Sequence, residues 1–126
     1  MVVFVCEHGA AKSIIAAAYF NLIAHDLGLS LKAVGRGTKP DHDFSPQTIK
    51  GLTEDGLAPS ESIPMAVTDA NMKAAQRVVA FCDMPLNYHQ YAIIEYWRDV
   101  PPVSENYGLA RDAIVSRIHQ LLNSMW

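Results

Sequence analysis

Residues 2–20, VVFVCEHGAAKSIIAAAYF, decide how the rest of the chain is read. Val2-Val3-Phe4-Val5 is an unbroken β-branched and aromatic run, the pattern of a parallel strand covered on both faces. Cys6 follows, then five small or polar residues, then Lys12-Ser13 at the mouth of a segment of helix formers. Apolar positions at Ile14, Ile15, Ala18, Tyr19, Leu22 and Ile23, with Gly28 as a stop signal, predict a helix from Lys12 to about Leu27.

A loop that joins a strand to a helix N-terminus turns several backbone N–H groups toward one point, and the helix dipole adds partial positive charge. Such a loop binds an oxyanion. The same N–H groups would stabilise a thiolate at Cys6, the nucleophilic form of cysteine. Glu7, His8, Gly9, Ala10, Ala11 and Lys12 are therefore the candidate oxyanion-binding residues of the loop. Gly9, Ala10 and Ala11 leave the backbone accessible, and Gly9 adopts positive φ without steric cost. Lys12 adds a positive charge, and the Ser13 hydroxyl is placed to hydrogen-bond the sulfur. A carboxylate aimed into the loop would repel phosphate, so Glu7 is expected to point outward. The competing reading of Cys6 is a small buried hydrophobe at a strand end, the usual fate of a free cysteine.

Outward from this stretch, "LKAV" at 31–34 reads as a second strand, ended by Gly35-Arg36-Gly37. Ser45 as N-cap and Pro46 at the first helical position open a helix that Gly56 ends. Thr68-Asp69-Ala70-Asn71 opens a short helix to about Ala75, and "RVVAF" at 77–81 is a third strand. A weaker strand around Ile93-Ile94 precedes the turn-rich "WRDVPPVSEN". Leu109, Ala113, Ile114, Ile118, Leu121, Leu122 and Met125 then mark a final amphipathic helix.

Strands separated by helical segments imply right-handed crossovers. The expected fold is α/β, a three-layer sandwich of a four-stranded parallel sheet with helices on both faces. In such sheets a ligand sits beyond the carboxyl ends of the strands, where strand order reverses. Cys6–Ser13, Gly35–Thr38 and Cys82-Asp83 all fall at such ends. With 126 residues, 50% of them hydrophobic, the chain supports one core, and a single domain over 1–126 is expected.

A formal charge of −3 without any Lys/Arg cluster argues against a nucleic-acid partner. "MVVFV" lacks a basic flank and its apolar run is cut at Glu7-His8, so neither a signal peptide nor a membrane partner is expected. Two cysteines with no CxxC spacing fit a reducing, cytoplasmic setting. His25, His42, His89 and His119 are scattered without ligand spacing, so no metal and no cofactor are expected. The sequence carries no signal of oligomeric state.

The strand, the C-x5-K-S loop and the helix, with "VGRGTKP", "FSPQTIKGLTEDGL", "RVVAFCD" and "YWRDVPP" further on, resemble the low-molecular-weight protein tyrosine phosphatase superfamily with its branch of arsenate reductases. The likeness covers nearly the whole chain. It implies that Cys6 attacks a phosphoryl or arsenyl centre whose oxygens the loop amides hold, and that Ser13 stabilises the thiolate. By the same resemblance Asp99 is the general acid that protonates the leaving group. Asp83 is the substitute, since it sits at a strand's carboxyl end; an ordinary surface aspartate beside Arg98 is the plain alternative for Asp99.

Three positions depart from the family pattern. Gly9 replaces an asparagine, Lys12 replaces the arginine, and the aspartate–proline pair is spread into Asp99-Val100-Pro101. Arginine grips two oxygens with a fixed fork where lysine offers a mobile point charge. Arg36 is a candidate source of the missing guanidinium, against the plain reading of a solvent-exposed arginine between glycines. Val-Pro-Pro-Val after Asp99 lacks the aromatic residues that sandwich a phosphotyrosine ring in the family. Tyr88, Tyr91, Tyr96 and Trp97 read either as an aromatic wall or as packing. Cys6-x-His8 looks like the arsenate reductase branch, but with Cys82 as the sole other cysteine a three-cysteine relay is ruled out. The expected partners are phosphate, arsenate or a similar oxyanion, and a low-molecular-weight thiol if the reaction is a reduction. Cys82 reads as a packed strand-end cysteine or as a partner for Cys6. A cysteine-dependent phosphatase or arsenate-reductase-like enzyme is the leading expectation. The alternative is a pseudoenzyme that keeps the oxyanion pocket for binding or regulation.

Overall fold

The computed structural model describes residues 1–125; the domain expected over 1–126 runs one residue beyond them. Four parallel strands form one sheet in the order β2-β1-β3-β4: β1 is Val2–Cys6, β2 Ala33–Gly37, β3 Arg77–Ala80 and β4 Ile94–Tyr96. β1 is central and wholly buried, as its unbroken apolar run requires. The chain passes from β1 to β2 on one side and then returns to β3 on the other, so strand order reverses beside β1 and Cys6 stands at that point.

Alternation along the strands divides the core into two layers. Val2, Phe4 and Cys6 face helix α1 (Lys12–Asp26) and helix α4 (Tyr107–Ser124), packing with Ile15, Phe20, Ile114, Ile118 and Leu122. Val3 and Val5 face the opposite layer with Met72, Val78, Ala80 and Met84. Met72 belongs to the short helix α3 (Asp69–Ala74), so helices lie on both faces of the sheet.

Helix α2 (Pro46–Glu54) starts as the sequence predicts: Ser45 Oγ accepts the Thr48 N–H at 3.1 Å and Pro46 occupies the first turn. Thr68 and Asn71 cap α3 reciprocally. Asn106, not flagged by periodicity, caps α4 by accepting the Leu109 N–H at 3.0 Å. A 3₁₀ turn at Leu86–Gln90 was not foreseen either.

β2 is displaced from the predicted 31–34. It runs through Gly35-Arg36-Gly37 rather than stopping before them. The reason is packing. A Cβ on Gly35 would lie 2.7 Å from the Ser13 carbonyl oxygen, and one on Gly37 would lie 2.7 Å from the Gly9 nitrogen. These glycines let the Cys6 loop and the first turn of α1 rest directly on the strand.

Candidate active site

The loop between β1 and α1 is held from outside by the segment that follows β2. Thr38, Lys39, Asp41 and Ser45 donate their N–H groups to the carbonyls of Cys6 (3.1 Å), Glu7 (2.7 Å), His8 (2.9 Å) and Ala10 (3.0 Å). Ala11 O accepts from Ile14 and Ile15 at 3.0 Å. The loop carbonyls of Cys6, Glu7, His8, Ala10 and Ala11 are thus satisfied by backbone donors. Among the described residues, none of the N–H groups of residues 7–11 donates to a backbone carbonyl outside the regular elements. Gly9 makes this curvature possible with φ +60°, the left-handed region.

Cys6 ends β1 with 8% of its surface exposed, and its Sγ lies 2.9 Å from the Oγ of the fully buried Ser13. Cys6 lines a cavity of about 370 Å³, and Ser13 supports it from beneath the surface. Glu7, His8, Ala10, Ala11 and Lys12 form one wall, Asp41, Ser45 and Gln47 a second, Phe81 and Cys82 a third. Pro102, Val103 and Ser104 close the fourth. Lys12 donates from Nζ to the Val100 carbonyl at 2.9 Å. An ammonium with three protons keeps donors free after that contact.

Glu7 and His8 line the cavity with side chains more than half exposed. His8 Nδ1 lies 3.2 Å from Asp41 Oδ1, and His8 Nε2 lies 3.8 Å from Glu7 Oε2. Cys82 lines the same cavity as a free thiol, and burial, reinforced by the neighbouring Cys6, pushes it up to about 11.

The expectation that Arg36 supplies a guanidinium to the loop is not met. Its NH1 donates to Glu61 and to the Gly35 carbonyl, and its side chain is absent from the cavity wall. Strand alternation explains this: Arg36 pairs with Val5, whereas Gly35 and Gly37 carry the face on which the loop lies.

Asp99 is likewise out of place for an acid. It is exposed, it accepts from Arg117 NH2 at 2.6 Å, and it does not line the cavity. The Arg117 guanidinium holds its carboxyl below the usual carboxylate range. Asp83, the substitute, is paired with Arg98 at 2.7 Å and also lies outside the cavity wall. Trp97 is buried in the core edge-on to Phe81, centroids 5.7 Å apart, and Tyr88 and Tyr91 pack on the opposite layer. No aromatic wall forms from them.

Residues 1–95 match the family described as low molecular weight phosphotyrosine protein phosphatase. The chain belongs to this family. Among solved structures, the arsenate reductase from Archaeoglobus fulgidus DSM 4304 is 25% identical, with a TM-score of 0.78 over 98% of this chain and 99% of that one. The low molecular weight protein tyrosine phosphatase from T. tengcongensis is 21% identical (TM-score 0.80, 98% and 97% covered). A YwlE mutant from Bacillus subtilis is 19% identical (TM-score 0.80, 98% and 97% covered). Asp41, Ser45 and Gln47 are among the cavity residues that sequence reasoning missed. Their only signal is indirect: the glycines at 35 and 37 imply that something packs on the end of β2. No described helix is long and apolar enough to cross a membrane, and the described residues contain no group of three or more His, Cys, Asp or Glu able to hold a metal ion.

Proposed function

We propose that the protein is a cysteine-dependent phosphatase. Cys6 attacks the phosphorus of a phosphate monoester held by the N–H groups of residues 7–11, forming a phosphocysteine that water then cleaves. The observation that carries this reading is the Cys6–Ser13 contact, made by a cavity-lining sulfur at the start of a loop whose carbonyls at Cys6, Glu7, His8 and Ala10 are taken by the segment after β2. Ser13 supplies a hydroxyl donor to the thiolate, and Lys12 supplies the positive charge that the family's arginine would bring.

The pseudoenzyme reading is favoured by one observation: the Lys12 ammonium is tethered to the Val100 carbonyl instead of being wholly free for a ligand. Hydrolysis of an aryl phosphate by wild type, Cys6→Ser and Lys12→Arg separates the two. Turnover that vanishes in Cys6→Ser supports the phosphatase. Turnover absent from wild type but present in Lys12→Arg supports the pseudoenzyme. Absence of turnover together with absence of phosphate or arsenate binding rejects both. Arsenate reduction with a low-molecular-weight thiol, run in parallel, assigns the enzyme to the reductase branch if it exceeds hydrolysis.

A further inference from the structure

We propose that His8, oriented by Asp41, is the proton donor to the leaving group in this active site. The inference rests on the reading of Cys6 as the nucleophile and supplies the acid that reading lacks. Both aspartates expected to serve as acid are committed to arginines outside the cavity, Asp99 to Arg117 and Asp83 to Arg98.

The titratable side chains on the cavity wall are Cys6, Glu7, His8, Lys12, Asp41 and Cys82. Cys6 is the nucleophile in this reading, and Lys12 donates to the Val100 carbonyl. Cys82, pushed up to about 11 by burial, holds its proton too tightly to be an effective donor near neutral pH. Glu7 and Asp41 are carboxylates at the rim. Imidazole is the group among these that ordinarily exchanges a proton between about pH 5 and 8.

The mounting of His8 is specific. Its carbonyl accepts the Asp41 N–H at 2.9 Å, while its Nδ1 lies 3.2 Å from the Asp41 carboxylate. Backbone and side chain are thus tied to the same residue. A carboxylate on Nδ1 fixes the ring and leaves Nε2 as the nitrogen that gives and takes the proton. The charged groups next to this ring are Glu7 on its own loop and Asp41 on the adjoining segment, and Cys6, Lys12 and Cys82 are the other titratable groups lining the same cavity. The wall at Pro102, Val103 and Ser104 adds none.

In the first step the Cys6 sulfur forms a bond to phosphorus, the bond from phosphorus to the leaving oxygen breaks with its electron pair on oxygen, and the Nε2 proton moves to that oxygen. In the second, water attacks phosphorus, its proton returns to Nε2, and the sulfur–phosphorus bond breaks to regenerate the Cys6 thiolate. The sum is hydrolysis of the ester to an alcohol and inorganic phosphate. Asp41 is a positioning residue in this scheme.

The test is a series of aryl phosphates graded by leaving-group acidity, run on wild type, His8→Gln, Asp41→Asn, Glu7→Gln and Asp99→Asn, with inorganic phosphate binding as a check that each site is intact. His8→Gln is expected to lose about threefold or less in kcat/KM on p-nitrophenyl phosphate and on the order of a hundredfold on the least acidic phenols, with loss of the alkaline limb of the pH profile. Asp41→Asn is expected to move that limb and show a weaker version of the same trend. A uniform loss across the series in His8→Gln, or the graded loss appearing in Glu7→Gln or Asp99→Asn instead, overturns the proposal while leaving the phosphatase reading standing. Absence of Cys6-dependent turnover in wild type overturns both.

Discussion

Cys6 Sγ and Ser13 Oγ lie 2.9 Å apart, one at the end of β1 and the other buried in the first turn of α1. A hydroxyl donating to a thiolate contributes about 1.5–3 kcal/mol, more than a neutral pair. Ser13→Ala is therefore expected to lower kcat/KM on an aryl phosphate by roughly 10- to 100-fold, and to slow Cys6 alkylation near neutral pH. An unchanged alkylation rate would show that the hydroxyl does not stabilise the thiolate.

Lys12 is the sole lysine or arginine on the cavity wall among the described residues. Replacing it with methionine removes the charge while keeping the stem, and kcat/KM is expected to fall on the order of a hundredfold. Inorganic phosphate inhibition should weaken in parallel, since the same ammonium faces the product. Retained phosphate affinity in Lys12→Met would assign anion binding to the backbone alone.

Gly9 and Gly37 meet backbone to backbone. A Cβ added to Gly37 would come 2.7 Å from the Gly9 nitrogen and 2.9 Å from the His8 carbonyl carbon, and neither can yield as a flexible side chain would. Gly37→Ala is expected to cost about 1–3 kcal/mol in chemical denaturation and to abolish phosphate binding. Gly56→Ala provides the contrast: unlike Gly37, Gly56 has positive φ, but nothing lies near its would-be Cβ, so the substitution strains the backbone without touching the loop.

Asp55, just after α2, accepts hydrogen bonds from Tyr19 on α1 and from Tyr107 (2.9 Å) and Arg111 (3.2 Å) on α4. Burial opposes its ionisation, but these three donors outweigh it and hold the carboxyl below its ordinary value. Burial and the same bond push Tyr19 up to about 12. A carboxyl lowered in the folded state contributes stability that is complete above its unfolded value of about 4 and is lost as pH falls through the folded one. Asp55→Asn is expected to cost about 2 kcal/mol at neutral pH and to flatten the fall of Tm below about pH 4. An acid limb as steep as in wild type would place the sensitivity on other carboxylates.

Cys82 gives a redox-independent handle on the cavity. With its thiol pushed up to about 11 by burial and by the adjoining Cys6, it stays protonated throughout the neutral range. Burial, the larger cause, persists in Cys6→Ser, so the remaining cysteine should resist iodoacetamide near neutral pH and become reactive as pH rises. Rapid labelling of that variant near neutral pH would contradict the burial of the thiol.

β1, α1 and the loop between them are local in origin: an apolar run, a turn with a permissive glycine and a helix-forming segment each dictate their own conformation. That is why the sequence alone determined the α/β class, the parallel sheet, the helix starts at Pro46 and Asp69, and Cys6 with Ser13 as the heart of a candidate oxyanion site. Side-chain direction at Arg36, Asp99 and His8 is not local. Arg36 is turned by strand register and claimed by Glu61, Asp99 is claimed by Arg117 from α4, and His8 is held by Asp41 from the far side of β2. Each partner lies 18 or more positions away in the chain, and no periodicity encodes such a pairing. Only the tertiary structure decided which charges meet the cavity and which are withdrawn from it, because long-range ion pairs and backbone close approach exist only once the layers have packed.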